Sequence, residues 1–131
     1  MNKVVFLIIC ALVVSCQSAS PELQQVKDQV MKVHDEVMPL MGELSKVRRR
    51  LKQQADSLPS DAMHRRMLMQ QVGRIEKAND QMMQWMRNYE VGFGNDVKAQ
   101  LDYQKKQLEE IQAIADDMKK ALSEGAELVK E

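Results

Sequence analysis

The sequence predicts an all-α protein, an up-down-up bundle of three long coiled-coil-like helices behind a cleaved signal peptide. Apolar residues recur at alternating spacings of three and four in three consecutive stretches, which is typical of helices that bury one seam. No stretch alternates apolar and polar residues as a strand would. Short proline- or glycine-containing links separate the stretches, so neighbouring helices should run antiparallel.

The first helix is expected over residues 21–58. Ser20-Pro21-Glu22 is typical of a helix start, with a capping hydroxyl, a proline at the first helical position and an acid in the first turn. Pro39 lies inside this helix, but the seam keeps its phase on both sides, which favours one kinked helix. The seam residues are Leu23, Val26, Val30, Val33, Val37, Leu40, Leu44, Val47, Leu51 and Leu58, with Gln54 as a polar step.

The second and third helices are expected over residues 61–90 and 96–124. Leu58-Pro59 ends the first helix, and Ser60 can cap the second. The glycine-rich segment 91–95 is predicted to be the second turn. Ser123-Glu124-Gly125 is predicted to end the third helix, which completes a single domain over residues 21–131.

The N-terminus predicts export and lipidation. Residues 1–15 carry Lys3 and then an apolar stretch from Val4 to Val14, which is too short to span a bilayer and typical of a signal peptide. The following Val13-Val14-Ser15-Cys16 resembles the bacterial lipobox, which implies that Cys16 carries a diacylglycerol and begins the mature chain. Cys10 is the less favoured alternative, because bulky Ile9 precedes it. We expect a tether over residues 16–20 and an outer-membrane anchor facing the periplasm, since Gln17 is not the aspartate of inner-membrane retention.

Composition and motifs exclude several classes of function. Basic and acidic residues number 19 each, and removal of residues 1–15 takes away only Lys3, so nothing predicts nucleic acid as a partner. The chain has no phosphate-binding glycine loop, no His-Glu-x-x-His and no Gly-x-Ser-x-Gly. With Cys16 alkylated, the mature chain would hold no thiol. The sequence therefore predicts a non-enzymatic protein without a cofactor.

Methionine is the unusual component, with 11 in the chain and 10 after Met1 is removed. The first helix carries a stripe of Met31, His34, Met38 and Met41, and the second carries a cluster of Met82, Met83, Trp85 and Met86. If the two helices fold back about Pro59, the stripe meets the cluster. Core packing is the expected role, because methionine fills irregular gaps and packs well against aromatic rings. The alternative is a Cu(I) site, since thioethers and imidazole suit that ion. Its predicted ligands are His34, Met31, Met38, Met82 and Met86, with Trp85 over the cation.

A dense basic patch lies near the first hairpin turn. We expect it to be a solvated face that pairs with Asp116, Asp117, Glu124 and Glu127 of the third helix. The alternative is a binding surface for an anionic partner. The basic patch consists of Lys46, Arg48, Arg49, Arg50, Lys52, Arg65 and Arg66.

Two motifs resemble a known family. They are His-Asp-Glu-x-Met-x-x-Met, which begins at His34, and Met-x-x-Trp-Met-x-x-Tyr, which begins at Met82. Both are similar to small envelope lipoproteins of Bacteroidetes that are often labelled "viral A-type inclusion protein". The resemblance covers nearly the whole mature chain and implies an envelope lipoprotein without an assigned activity.

The sequence predicts a membrane-anchored helical module that binds another envelope protein or acts as a spacer. A periplasmic Cu(I)-binding protein is the alternative. Self-association stays open as well, because three seams need not all close within one chain.

Overall fold

A computed structural model describes residues 20–94 and 96–130 of the chain. It contains three helices: α1 spans Pro21–Asp56, α2 spans Met63–Asn88 and α3 spans Val97–Lys130. The described residues contain no strand, so the predicted all-α class is confirmed. The predicted signal peptide and Cys16 lie outside the described residues.

Helix α1 begins as its sequence predicts. The Ser20 hydroxyl accepts a hydrogen bond from the backbone N–H of Leu23 at 3.1 Å, and Pro21 occupies the first helical turn, where its missing N–H costs nothing. The helix continues through Pro39 to Asp56 without interruption. Its 36 residues make it roughly 54 Å long at ~1.5 Å per residue.

Contacts between the helices establish the up-down-up topology. Helix α2 runs antiparallel to α1, because His34 meets Met86 while Arg48, further along α1, meets Glu76. Helix α3 returns parallel to α1. Near its start the Lys105 ammonium donates to the Glu22 carboxylate at 2.8 Å, and near its end Gly125 packs against Val47 of α1.

The core follows a seven-residue repeat on each helix. Every seventh residue of α1 from position 23 to position 51 is at most 2% exposed, and the matching rows of α2 and α3 are equally buried. This is coiled-coil packing, in which each row faces the other two helices. The rows are Leu23, Val30, Val37, Leu44 and Leu51; Leu68, Ile75 and Met82; and Gln104, Ile111, Met118 and Gly125.

The helix boundaries correct three expectations. Helix α1 ends at Asp56, so Leu58 packs against the core from outside the helix. Helix α2 starts at Met63 after Ala62, which has no capping side chain, so the predicted Ser60 cap is wrong. Helix α2 also ends at Asn88 because Tyr89 has extended backbone, two residues before the expected end.

Gly125 lies inside α3, so the predicted helix end there is wrong. A Cβ atom at Gly125 would lie 2.8 Å from Val47 Cγ1 and 3.2 Å from Ile75 Cδ1. The glycine therefore allows the three helices to approach closely, and α3 continues to Lys130. Burial against α1 and α2 outweighs the cost of ~1 kcal/mol that glycine imposes on a helix interior.

None of the described helices is both long enough and apolar enough to cross a membrane.

Candidate functional site

His34 is the residue around which the predicted Met/His/Trp site assembles. Its Nδ1 lies 2.9 Å from the Asp35 carboxylate, and its Nε2 lies 3.4 Å from the Met86 sulfur. An ionised carboxylate only accepts hydrogen bonds, so Nδ1 carries the proton in the neutral ring. In that tautomer Nε2 carries a lone pair and lies beside the thioether sulfur. Two atoms that can each bind a metal ion are therefore adjacent.

The structure brings only part of the predicted ligand set together. The Trp85 ring lies 6.0 Å from the His34 ring between centroids and is 6% exposed, so Trp85 forms a buried wall beside the imidazole. Met82 is fully buried within the core, and Met31 is 40% exposed. Met38 is half-buried and packs against the core. Within the described part of the chain, Met86 is the methionine whose sulfur lies 3.4 Å from a ring nitrogen of His34.

Four rings form a stack beside this site, and we name Trp85, Tyr89, Phe93 and Tyr103 the aromatic cluster. Trp85 stacks on Tyr89 with centroids 4.8 Å apart, and Phe93 stacks on Tyr103 at 4.4 Å. Tyr89 and Tyr103 are 6.4 Å apart and connect the two pairs. Stacked aromatic pairs add about 0.5–1.5 kcal/mol beyond the area they bury. The cluster therefore fastens the α2–α3 connection to both helices.

The two hydroxyl groups of the aromatic cluster are hydrogen-bonded, whereas the buried indole N–H of Trp85 has no partner among the described residues. The Tyr89 hydroxyl donates to the Gln104 side-chain carbonyl at 2.9 Å, and the Tyr103 hydroxyl accepts from the Glu90 backbone N–H at 2.8 Å. Burial raises the pKa of the Tyr89 phenol, against the opposing effect of its bond with Gln104. Gln104, which is completely buried in the core row of α3, is thus a hydrogen-bond partner for Tyr89.

The basic patch makes different ion pairs from those expected. Arg48 pairs with Glu76 of α2 at 3.2 Å, and Arg65 pairs with Asp56 at 3.6 Å while its guanidinium also donates to the Ala55 carbonyl. Glu124 of α3 pairs instead with Arg74, which is outside the patch. Among the described side chains, no ion pair joins the basic patch to α3, so the predicted neutralisation by that helix is wrong.

The remaining patch residues carry charge without an ionic partner among the residues that the structure describes. They are Lys46, Arg49, Arg50, Lys52 and Arg66, and each is exposed to solvent.

The side chains that most often bind metals in proteins do not cluster in residues 20–94 and 96–130. Nowhere there do three or more His, Cys, Asp or Glu side chains converge. The pair to test as a soft-metal site is His34 and Met86, because imidazole nitrogen and thioether sulfur suit Cu(I).

The adjacency of Asp35 and Glu36 to His34 predicts that one of these acids bonds the imidazole, and Asp35 does so at 2.9 Å. Sequence reasoning missed two aromatic residues near the site. Phe93 and Tyr103 gave no signal, because their stacking depends on how the α2–α3 connection folds back along α3.

No family model matches the chain, and comparison with curated proteins and with solved structures gives no match either. The resemblance to the Bacteroidetes lipoproteins accordingly stays a prediction.

Proposed function

We propose that this protein is a lipid-anchored envelope module without catalytic activity, which holds a protein-binding surface away from its membrane. This proposal rests on basic side chains that have no described ionic partner. They lie in the half of the bundle farthest from the start of α1, which we call the distal half. Five solvent-exposed basic side chains without an ion pair among the described residues make a surface suited to a negatively charged partner.

The position of helix α1 supports an anchored arrangement. Four residues separate the proposed lipidation site, Cys16, from Pro21. Even fully extended, the five peptide units between them reach only about 18 Å. The start of α1 would therefore stay close to the bilayer. Lys46 lies 25 residues further along α1, roughly 37 Å from Pro21, so an upright bundle would present the patch to neighbouring envelope components.

Fractionation and crosslinking of cells would test this function. The wild-type protein should sediment with membranes and crosslink to one protein in stoichiometric yield. Cys16→Ala should abolish the membrane association, whereas Cys10→Ala should preserve it. A wild-type protein that is released without lipid, or one that crosslinks to no protein at all, would contradict the proposal.

A periplasmic Cu(I)-binding protein is the second candidate, and the His34–Met86 pair is the observation that favours it. With the zinc bond lengths of ~2.0 Å to imidazole nitrogen and ~2.3 Å to thiolate sulfur as a guide for Cu(I), a tetrahedral angle places the two ligand atoms roughly 3.5 Å apart. The observed separation is 3.4 Å. Asp35 fixes the imidazole through its other nitrogen, as carboxylates commonly do for metal-bound histidines.

Titration with Cu(I) against a chromogenic competitor would test this candidate. Binding tighter than micromolar should be lost in Met86→Leu and kept in Met83→Leu, which removes an exposed thioether on the same helix. Equal affinity in the two variants, or no binding tighter than micromolar in the wild type, would rule out this site.

A further inference from the structure

A groove between α1 and α3 runs along the distal half of the bundle. One face of α1 and one face of α3 form its walls, because the lining residues recur at spacings of three, four and seven. The lining residues are Leu40, Glu43, Lys46, Val47, Arg50, Lys119, Leu122, Ser123 and Ala126.

The floor of the groove is apolar and open to solvent. Leu40, Val47 and Leu122 pack against the core, yet each keeps part of its side chain exposed. They extend the core outward, unlike the neighbouring Leu44, which is completely buried. A partner that covered them would therefore gain hydrophobic free energy without any rearrangement of the bundle.

The rims of the groove are positively charged. Lys46 and Arg50 lie on the α1 side and Lys119 lies on the α3 side, with Glu43 as the one carboxylate of the lining. None of these four forms an ion pair with another described side chain. The groove accordingly has a net charge of +2, as three cations against one carboxylate, above an apolar floor.

We infer that this groove binds an acidic amphipathic helix of a partner protein. The groove is shallow and open, and its lining on α1 from Leu40 to Arg50 is roughly 15 Å long. That length fits about three turns of a helix whose apolar residues recur at i, i+3 or i+4, and i+7. Glu or Asp on both sides of that stripe would meet the cations on the two rims.

A lipid headgroup of the protein's own leaflet fits the groove less well. Leu40 lies 19 residues along α1 from Pro21, roughly 28 Å from the anchored end in the proposed orientation. This inference rests on the proposed function, because it names the partner's chemistry for a module that binds protein.

Photo-crosslinking in cells would test the groove in the full-length protein. A photoreactive amino acid replaces Ala126 in the groove, and a control places it at Gln70 on the exposed surface of α2. The Ala126 position should capture one protein, and the attached peptide should be an acidic amphipathic helix. The Gln70 position should capture it much less.

Charge reversal provides the matched control. The triple variant Lys46→Glu, Arg50→Glu, Lys119→Glu should reduce capture at least about tenfold, because it places like charges against the acidic helix. The variant Lys77→Glu, Arg87→Glu, Lys120→Glu reverses as many exposed charges outside both the groove lining and the basic patch, and it should retain most of the capture. Unchanged circular dichroism would show that both variants are folded.

The outcomes separate this inference from the proposed function. Capture of a second copy of the chain, capture of lipid, or equal loss in both triple variants would overturn the groove assignment. Capture of a protein from Gln70 alone would also overturn it and leave the proposed function standing. Absence of any captured protein from both positions would contradict the two together.

Discussion

The two ends of the bundle are built differently. At the end where α1 begins, the aromatic cluster stacks ring on ring, and its hydroxyl groups pair with Gln104 and with backbone. In the distal half, Met63 and Met67 are 68% and 48% exposed beside cations that have no described ionic partner. Methionine and arginine are enriched in protein interfaces, and stacked aromatic pairs stabilise the fold in which they are buried. The aromatic end thus contributes stability, and the exposed methionines and cations of the distal half belong to the surface that we propose binds a partner.

Two separate leucine-to-alanine changes on α1 should distinguish the core from the proposed binding surface. The core change should give the largest loss of unfolding free energy among these predictions. Leu44→Ala should cost about 3–5 kcal/mol of unfolding free energy, because the side chain is fully buried. Leu40→Ala, four residues earlier in the half-buried floor of the groove, should cost well under half as much. Urea denaturation would measure both, and equal costs would mean that the groove floor belongs to the closed core.

Glycine substitutions should show where the distal helices meet. Gly125→Leu should destabilise the protein by about 1–3 kcal/mol, because even the first added carbon would lie 2.8 Å from Val47. The matched control is Gly73→Ala on α2, where no atom lies within 4 Å of the added carbon. That change should stabilise the protein by about 0.5–1 kcal/mol through helix propensity. Thermal unfolding would contradict the close approach if Gly125→Leu unfolded at the wild-type temperature.

The aromatic end should respond to loss of a single hydroxyl. Tyr89→Phe should cost about 1–2 kcal/mol, because the buried Gln104 carbonyl would lose its donor. Chemical denaturation at neutral pH measures this cost, and no change would mean that the hydrogen bond contributes nothing to stability.

The same residue predicts a loss of stability at high pH. The folded state holds the pKa of Tyr89 above its ordinary value of 10.0, so the folded chain keeps this proton more tightly than the unfolded chain. The stability that the raised pKa of Tyr89 contributes is therefore fully present below pH 10, and it is lost as the pH rises through the pKa of the folded state. Ultraviolet titration should show one phenol that ionises late in the wild type and is absent from Tyr89→Phe.

The smallest effect should come from the ion pair that joins α2 to α3. Arg74 and Glu124 are 3.0 Å apart, but both are substantially exposed. Arg74→Ala should change the stability by less than about 1 kcal/mol, and the difference should shrink in high salt. A larger, salt-independent loss would assign this pair a structural role that its exposure does not support.

The repeat of apolar residues made the fold predictable from the sequence. Leu23, Val30, Val37, Leu44 and Leu51 all occupy the predicted seam and are buried. Folding back about Pro59 also predicted that His34 lies opposite Gln84–Trp85, and the His34 and Trp85 rings do lie 6.0 Å apart. Both features depend on spacing along helices, and spacing is readable from one sequence.

Features that depend on packing between helices were not predictable in the same way. Gly125 resembles a helix stop in sequence, and only the approach of Val47 and Ile75 explains its place inside α3. The groove was not predictable from the sequence either, since the seam pattern does not distinguish half-buried Leu40 from fully buried Leu44. The expected ion pairs between the basic patch and α3 failed because charge signs alone do not fix the rotation of each helix about its axis.

The mass of the mature protein purified from membranes tests the central claim of an anchored module most directly. We expect a chain that begins at Cys16, lacks residues 1–15 and carries a diacylglyceryl group on that cysteine. Cys16→Ala should yield no acylated species, and Cys10→Ala should yield the same mature protein as the wild type. A mature chain that begins elsewhere, or one whose Cys16 carries no lipid, would contradict the account.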